Sequence, residues 1–65
     1  MIRVNGEDSE IAVGTTIARL LEQLEAPDRG VAVAIDGEVV PRSSWHRTML
    51  ADEANVEVVM AVQGG

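Results

Sequence analysis

The residues best suited to chemistry are the last four, Val62-Gln63-Gly64-Gly65, because a glycine pair can carry a carboxylate into a confined site. Lacking Cβ atoms, Gly64 and Gly65 can adopt nearly any φ/ψ and thread a channel too narrow for other residues. A free carboxylate, with a pKa of roughly 3.3–3.7, is an anion at neutral pH and a poor electrophile. It reacts once it is activated. Joining it to AMP from ATP gives an acyl adenylate with a good leaving group, which divides one hard substitution into two easier ones. A sulfur nucleophile can then displace AMP. The competing reading is a terminus that merely frays, and the tail alone leaves both readings open.

Other side chains offer less. The chain has no cysteine, which excludes disulfides, thiol nucleophiles and thiolate metal sites and fits a cytoplasmic location. His46 is the single histidine and has no clustered partners, so a solvent or loop position is expected. Trp45, the sole aromatic residue, is expected to anchor packing beneath a loop. Asp52 and Glu53 amount to half a metal site and read better as a solvated corner; no metal site is expected. Asn5-Gly6 and Asp36-Gly37 are turn chemistry and not phosphate loops, since neither opens a helix. With no nucleophile, base or cofactor motif, the chain does not read as an enzyme.

Charge narrows the partners. Eleven acidic residues against five arginines give a net charge of −6, which repels phosphate backbones and anionic lipids. Neither nucleic acid nor membrane is an expected partner, and runs such as Val31 to Ile35 and Val58 to Val62 fall far short of the roughly 20 residues that span a bilayer. Lysine is absent. Copies with activated C-termini therefore cannot polymerise through their own lysine side chains.

The elements that must hold the tail follow from periodicity. Sixty-five residues make a single domain, read as a folded body over 1–62 and a flexible tail over 63–65. Met1 to Val4 and Glu10 to Val13 alternate around Asn5-Gly6-Glu7-Asp8, predicting a β-hairpin. Ile17, Leu20, Leu21 and Leu24 recur at helical spacing, with Thr15 or Thr16 as cap and Pro27 with Gly30 as the stop. Val31 to Ile35, the turn Asp36-Gly37 and Glu38 to Val40 predict a second hairpin, with Pro41 placing its outer strand at an edge. Arg42 to Met49 predicts a helical turn and loop, with Leu50 tucked toward the core. After a turn at Asp52-Glu53-Ala54-Asn55, Val56 to Val62 is the most apolar strand, which predicts a central place, buried on much of both faces. The order is ββαβββ: an α+β, ubiquitin-like β-grasp domain with one helix across one face of a mixed sheet.

Alternation also assigns faces. Ile2, Val4, Ile11, Val13, Val31, Val33, Ile35, Val56, Val58, Met60 and Val62 are expected toward the helix. Ala32, Ala34, Val59 and Ala61 are then expected outward, a small apolar patch leading into the tail and a candidate docking surface.

These residues resemble a known family, the thiamine-biosynthesis sulfur carrier proteins of the ThiS type. The resemblance runs the length of the chain. It is carried by Val4-Asn5-Gly6-Glu7, Thr16 to Leu21, Val31-Ala32-Val33-Ala34-Ile35, Val39-Val40-Pro41-Arg42, Trp45 and Val62-Gln63-Gly64-Gly65. The departure is Asp52-Glu53-Ala54-Asn55, where the family usually has a Gly-Asp turn. The resemblance implies a carrier that binds no cofactor itself. A ThiS-type adenylating enzyme with ATP and magnesium would activate the Gly65 carboxylate. A donor such as a cysteine desulfurase would supply the sulfur of a thiocarboxylate, and thiazole synthase would accept it. Gly64 and Gln63 would act as the lead that presents Gly65. Three alternatives keep their place: a sulfur carrier for tRNA thiolation, molybdopterin or cysteine synthesis, a ubiquitin-like modifier joined to target lysines, and a plain interaction module.

Overall fold

The computed structural model describes residues 1–27 and 29–61. Two Asx-Gly turns organise the sheet. Asn5 and Gly6 have φ of 51° and 82°, and Asp36 and Gly37 have 50° and 87°, the paired positive values of a type I′ turn, whose twist matches that of the strands it joins. The first turn links β1 (Arg3–Val4) to β2 (Glu7–Asp8), and the second links β3 (Val31–Ile35) to β4 (Glu38–Val40). β5 (Asn55–Met60) enters between the hairpins, parallel to β1 and antiparallel to β3, giving the order β2-β1-β5-β3-β4. The expected order, the central last strand and the edge position of β4 all hold.

The second strand differs from expectation. Glu10 to Val13 is not a strand; the partner of β1 is Glu7–Asp8. A two-residue turn fixes Val4 opposite Glu7 and Arg3 opposite Asp8, so the hairpin ladder is used up before Glu10. Ser9 closes it by donating both its N–H and its hydroxyl to the Ile2 carbonyl, each at 2.9 Å. The chain then turns to the far side of the core, where Gly14 donates to Leu50 and Leu50 donates to Thr15, both at 2.8 Å.

Helix α1 (Ile17–Gln23) buries Ile17, Leu20 and Leu21. Thr16 caps it, its hydroxyl accepting the Arg19 N–H at 3.2 Å, the usual way to satisfy a free first-turn donor. Carbonyls of Thr48 and Trp45 accept the Ile17 and Ala18 N–H groups. The helix stops earlier than Pro27 and Gly30 suggested. Glu25 takes φ 56°, while the Glu25 and Ala26 N–H groups donate to Glu22 and Leu21, a Schellman ending built without glycine. Leu24 consequently lies past the last turn, 39% exposed.

The core is Ile2, Ile17, Leu20, Leu21, Val33, Trp45, Leu50, Ala54, Val56 and Val58. Val4, Ile11, Val31 and Ile35 pack against it partly buried, as the alternation predicts. Val13 and Met60 do not: they are 61% and 40% exposed, Val13 because its segment leaves the sheet and Met60 because it lies beyond the reach of the short helix. The expectation of β5 buried on both faces is also corrected, since only Val56 and Val58 are sealed. No helix among the described residues is long and apolar enough to cross a membrane.

Candidate functional site

The tail springs from β5, so the site begins with what fixes that strand. β5 pairs with β3 at five positions, from Val31 opposite Met60 to Ile35 opposite Val56. On its other side β1 contributes only two residues, and Asn5 extends the ladder past the turn. Its N–H donates to the Val56 carbonyl and its side-chain Oδ1 accepts the Val58 N–H, both at 2.8 Å. A turn side chain here does the work of a missing strand residue. At the far end the Ala61 N–H donates to the Gly30 carbonyl at 2.6 Å.

The proposed reactive residues Gly65, Gly64 and Gln63, together with Val62, lie outside the described residues. The outward patch can be placed. Ala32 faces Val59 across the β3–β5 pair, and both are exposed, as is Ala61. Ala34 is half-buried, because it sits between Glu57 of β5 and Val39 of β4. Val39, 75% exposed, extends the same patch and was missed by the sequence reading. The sequence carries the signal, since a two-residue turn at Asp36-Gly37 sets Val39 opposite Ala34 and so on the same face.

Trp45 is the packing anchor expected. It is buried, its Nε1 donates to the Val40 carbonyl at 3.0 Å, and the Arg42 guanidinium lies 5.7 Å from the ring centroid. His46 is exposed. Among the described residues no group of three or more His, Cys, Asp or Glu is placed to hold a metal ion. Asp52 and Glu53 form the turn before β5 and also receive the Met1 ammonium at 2.9 and 3.1 Å. Hydrogen bonds donated to Asp52 and then to Glu53 raise the amine above its ordinary 8.0, and the same ammonium lowers the Asp52 carboxyl below its ordinary 3.8. Glu53 adopts φ 65°, the position for which a glycine is the easier residue.

A short helix laid across a five-stranded mixed sheet, with the last strand parallel to the first at its centre, defines a ubiquitin-like β-grasp protein. Comparison with known proteins narrows the class. The ThiS family matches residues 2–65. A sulfur carrier protein ThiS of Escherichia coli (strain K12) is 33% identical over 64 residues, covering 98% of this chain and 97% of that one. A thiazole synthase of Paramagnetospirillum magneticum (strain ATCC 700264 / AMB-1) is 34% identical over 62 residues, which are 95% of this chain and 19% of the synthase. The crystal structure of thiamine biosynthesis protein ThiS from Geobacter metallireducens has a TM-score of 0.78 at 28% identity, covering 98% of this chain and 97% of that one. The chain belongs to the ThiS family and is a sulfur carrier of thiamine biosynthesis, a carrier protein and not an enzyme.

Proposed function

We propose that the working group of this carrier is the Gly65 carboxylate, presented by Gln63 and Gly64 from a folded body that extends through residue 62. The observation that carries this reading is the family match running through Gly65, which follows the central strand β5 in the chain. A carboxylate oxygen attacks the α-phosphorus of ATP on a ThiS-type adenylating enzyme, with magnesium neutralising the phosphates, and pyrophosphate leaves. The outer sulfur of a cysteine desulfurase persulfide, the proposed donor, then attacks the acyl carbon and the bond to AMP breaks, leaving an acyl disulfide. A thiol cleaves its S–S bond, forming a disulfide and releasing the thiocarboxylate, and the proposed setting is the cytoplasm, where ATP is available.

Thiazole synthase is the proposed acceptor. The support is the Paramagnetospirillum magneticum synthase, whose chain contains a stretch similar to this carrier. The outer patch of Ala32, Ala34, Val59 and Ala61, enlarged by Val39, is the surface proposed to be gripped while the tail reaches the reactive site; its exposure beside the exit of β5 supports this.

The test is intact mass after incubation with ATP, magnesium, a ThiS-type adenylating enzyme and a sulfide salt. Replacement of one oxygen by sulfur is expected in the wild type and is absent from Gly65→Trp, which keeps the fold. A Gly65→Trp chain that gains sulfur at the wild-type rate sinks the proposal.

A further inference from the structure

Gly30 stands where β3 begins, beside the chain as it leaves β5. Its carbonyl accepts the Ala61 N–H, and its own φ is +73°. A Cβ built there would meet the Ala61 Cβ at 3.2 Å, whereas Gly6, Gly14 and Gly37, which also have positive φ, have nothing within 4 Å of theirs. Those three serve turns. Gly30 alone among the described glycines has the space of its missing side chain taken by another part of the chain, and that part is the residue before the tail.

We propose that Gly30 is a positioning residue for the sulfur-carrier reaction: its bare backbone lets Ala61 seat against the start of β3 and fixes the chain just ahead of the tail. The inference rests on the reading of Gly65 as the reactive carboxylate. Gly65 is four residues beyond Ala61, a reach of at most about 14 Å when fully extended. So short a lead has little slack to absorb an error at its base, even with two glycines in it. Reaction needs the attacking and receiving atoms within about 3.5 Å, and a displacement of about 1 Å can cost a hundredfold in rate. An L side chain at position 30 would act twice, by pressing on Ala61 and by occupying a backbone region that L residues rarely adopt.

Two versions of the chain separate these effects, Gly30→Ala and a synthetic chain with D-alanine at position 30. The D residue is at ease at positive φ and carries its methyl in the other α-hydrogen position, not the one that meets the Ala61 Cβ. Steady-state adenylation is measured with a ThiS-type adenylating enzyme, alongside hydrogen exchange of the Ala61 amide, which reads the bond to Gly30 without reference to activity. Gly30→Ala is expected to lower kcat by about tenfold with KM held within about twofold, and to speed Ala61 exchange, while the D-alanine chain stays within about twofold of wild type. A merely structural role would deplete folded carrier, raising KM at unchanged kcat. That pattern, an unaltered kcat in Gly30→Ala, or equal losses in both chains overturns the proposal while leaving the tail reading intact. A wild-type chain that is never adenylated defeats the tail reading and the positioning role together.

Discussion

On the inner face of the sheet, Ile2 and Val56 are fully sealed and Val33 and Val58 nearly so, while one residue further along β5 Val59 is 62% exposed and sits opposite an exposed Ala32. The inner face is apolar and the outer one carries an apolar patch beside Arg3, Asn55 and Glu57, and both hang on the same backbone ladder. The difference is that α1 and the segment holding Trp45 and Leu50 cover one face, and nothing among the described residues covers the other. Hydrophobic residues inside stabilise the fold by leaving water, whereas residues left outside contribute little to folding and are available to another molecule. Stability is thereby assigned to one side of a sheet one residue thick, and the proposed recognition surface to the other.

Substitutions should separate these roles. Ile2→Ala is expected to give the largest effect, destabilising by about 2–5 kcal/mol through lost burial and a residual cavity; chemical denaturation would measure it. An Ile2→Ala loss well below 1 kcal/mol would mean that the inner face is not the seat of stability. Replacing Val39 and Val59 together by threonine keeps the β-branched shape and removes the apolar contact. Unfolding should then shift by no more than about 0.5 kcal/mol, while affinity for the adenylating enzyme falls about tenfold, or roughly 1.4 kcal/mol. Unchanged affinity in a titration of the two proteins would remove the patch from the docking surface.

The smallest effect belongs to the ammonium and carboxylates that tie Met1 to the turn before β5. The amine is raised in the fold, so its contribution is fully present below pH 8.0 and fades as pH rises through the folded value. Asp52 is lowered, so its contribution is present above pH 3.8 and fades as pH falls through the folded value. The stability difference between wild type and Asp52→Asn/Glu53→Gln should therefore be greatest between these limits and disappear outside them. Because the groups are exposed, added salt should also shrink it. A difference that persists unchanged well above pH 8 would assign it to the turn backbone and not to the ion pair.

The two hairpins show where sequence was sufficient. Asp36-Gly37 and both its strands were legible, since Val31 to Ile35 and Glu38 to Val40 carry their pattern right up to the turn. Asn5-Gly6 was equally legible as a turn, yet Ile11 and Val13 imitated a strand that the register had already left behind. Glu25 ends the helix with no sequence signal, because glutamate is not a residue expected at positive φ. Most of the outer patch could be read directly, since Ala32, Val59 and Ala61 are exposed as the alternation predicts, while the Gly64-Gly65 tail lies outside the described residues. The hydrogen bonds of Asn5 to Val58 and of Gly30 to Ala61 could not, because each joins residues far apart in sequence and depends on β5 being in place.

The placement of β5 at the centre also governs how the molecule comes into being. Until Asn55 to Met60 have been synthesised, β1 and β3 have no strand between them, and each hairpin presents an open edge. Contacts between distant segments form late and slowly, and hairpins and a seven-residue helix are marginal on their own, so the nascent chain cannot close a core. Folding is then a form of proofreading. A chain that stops short of its last strand stays open to proteases, and only one that has been made through β5 becomes a stable body from which a tail can be offered.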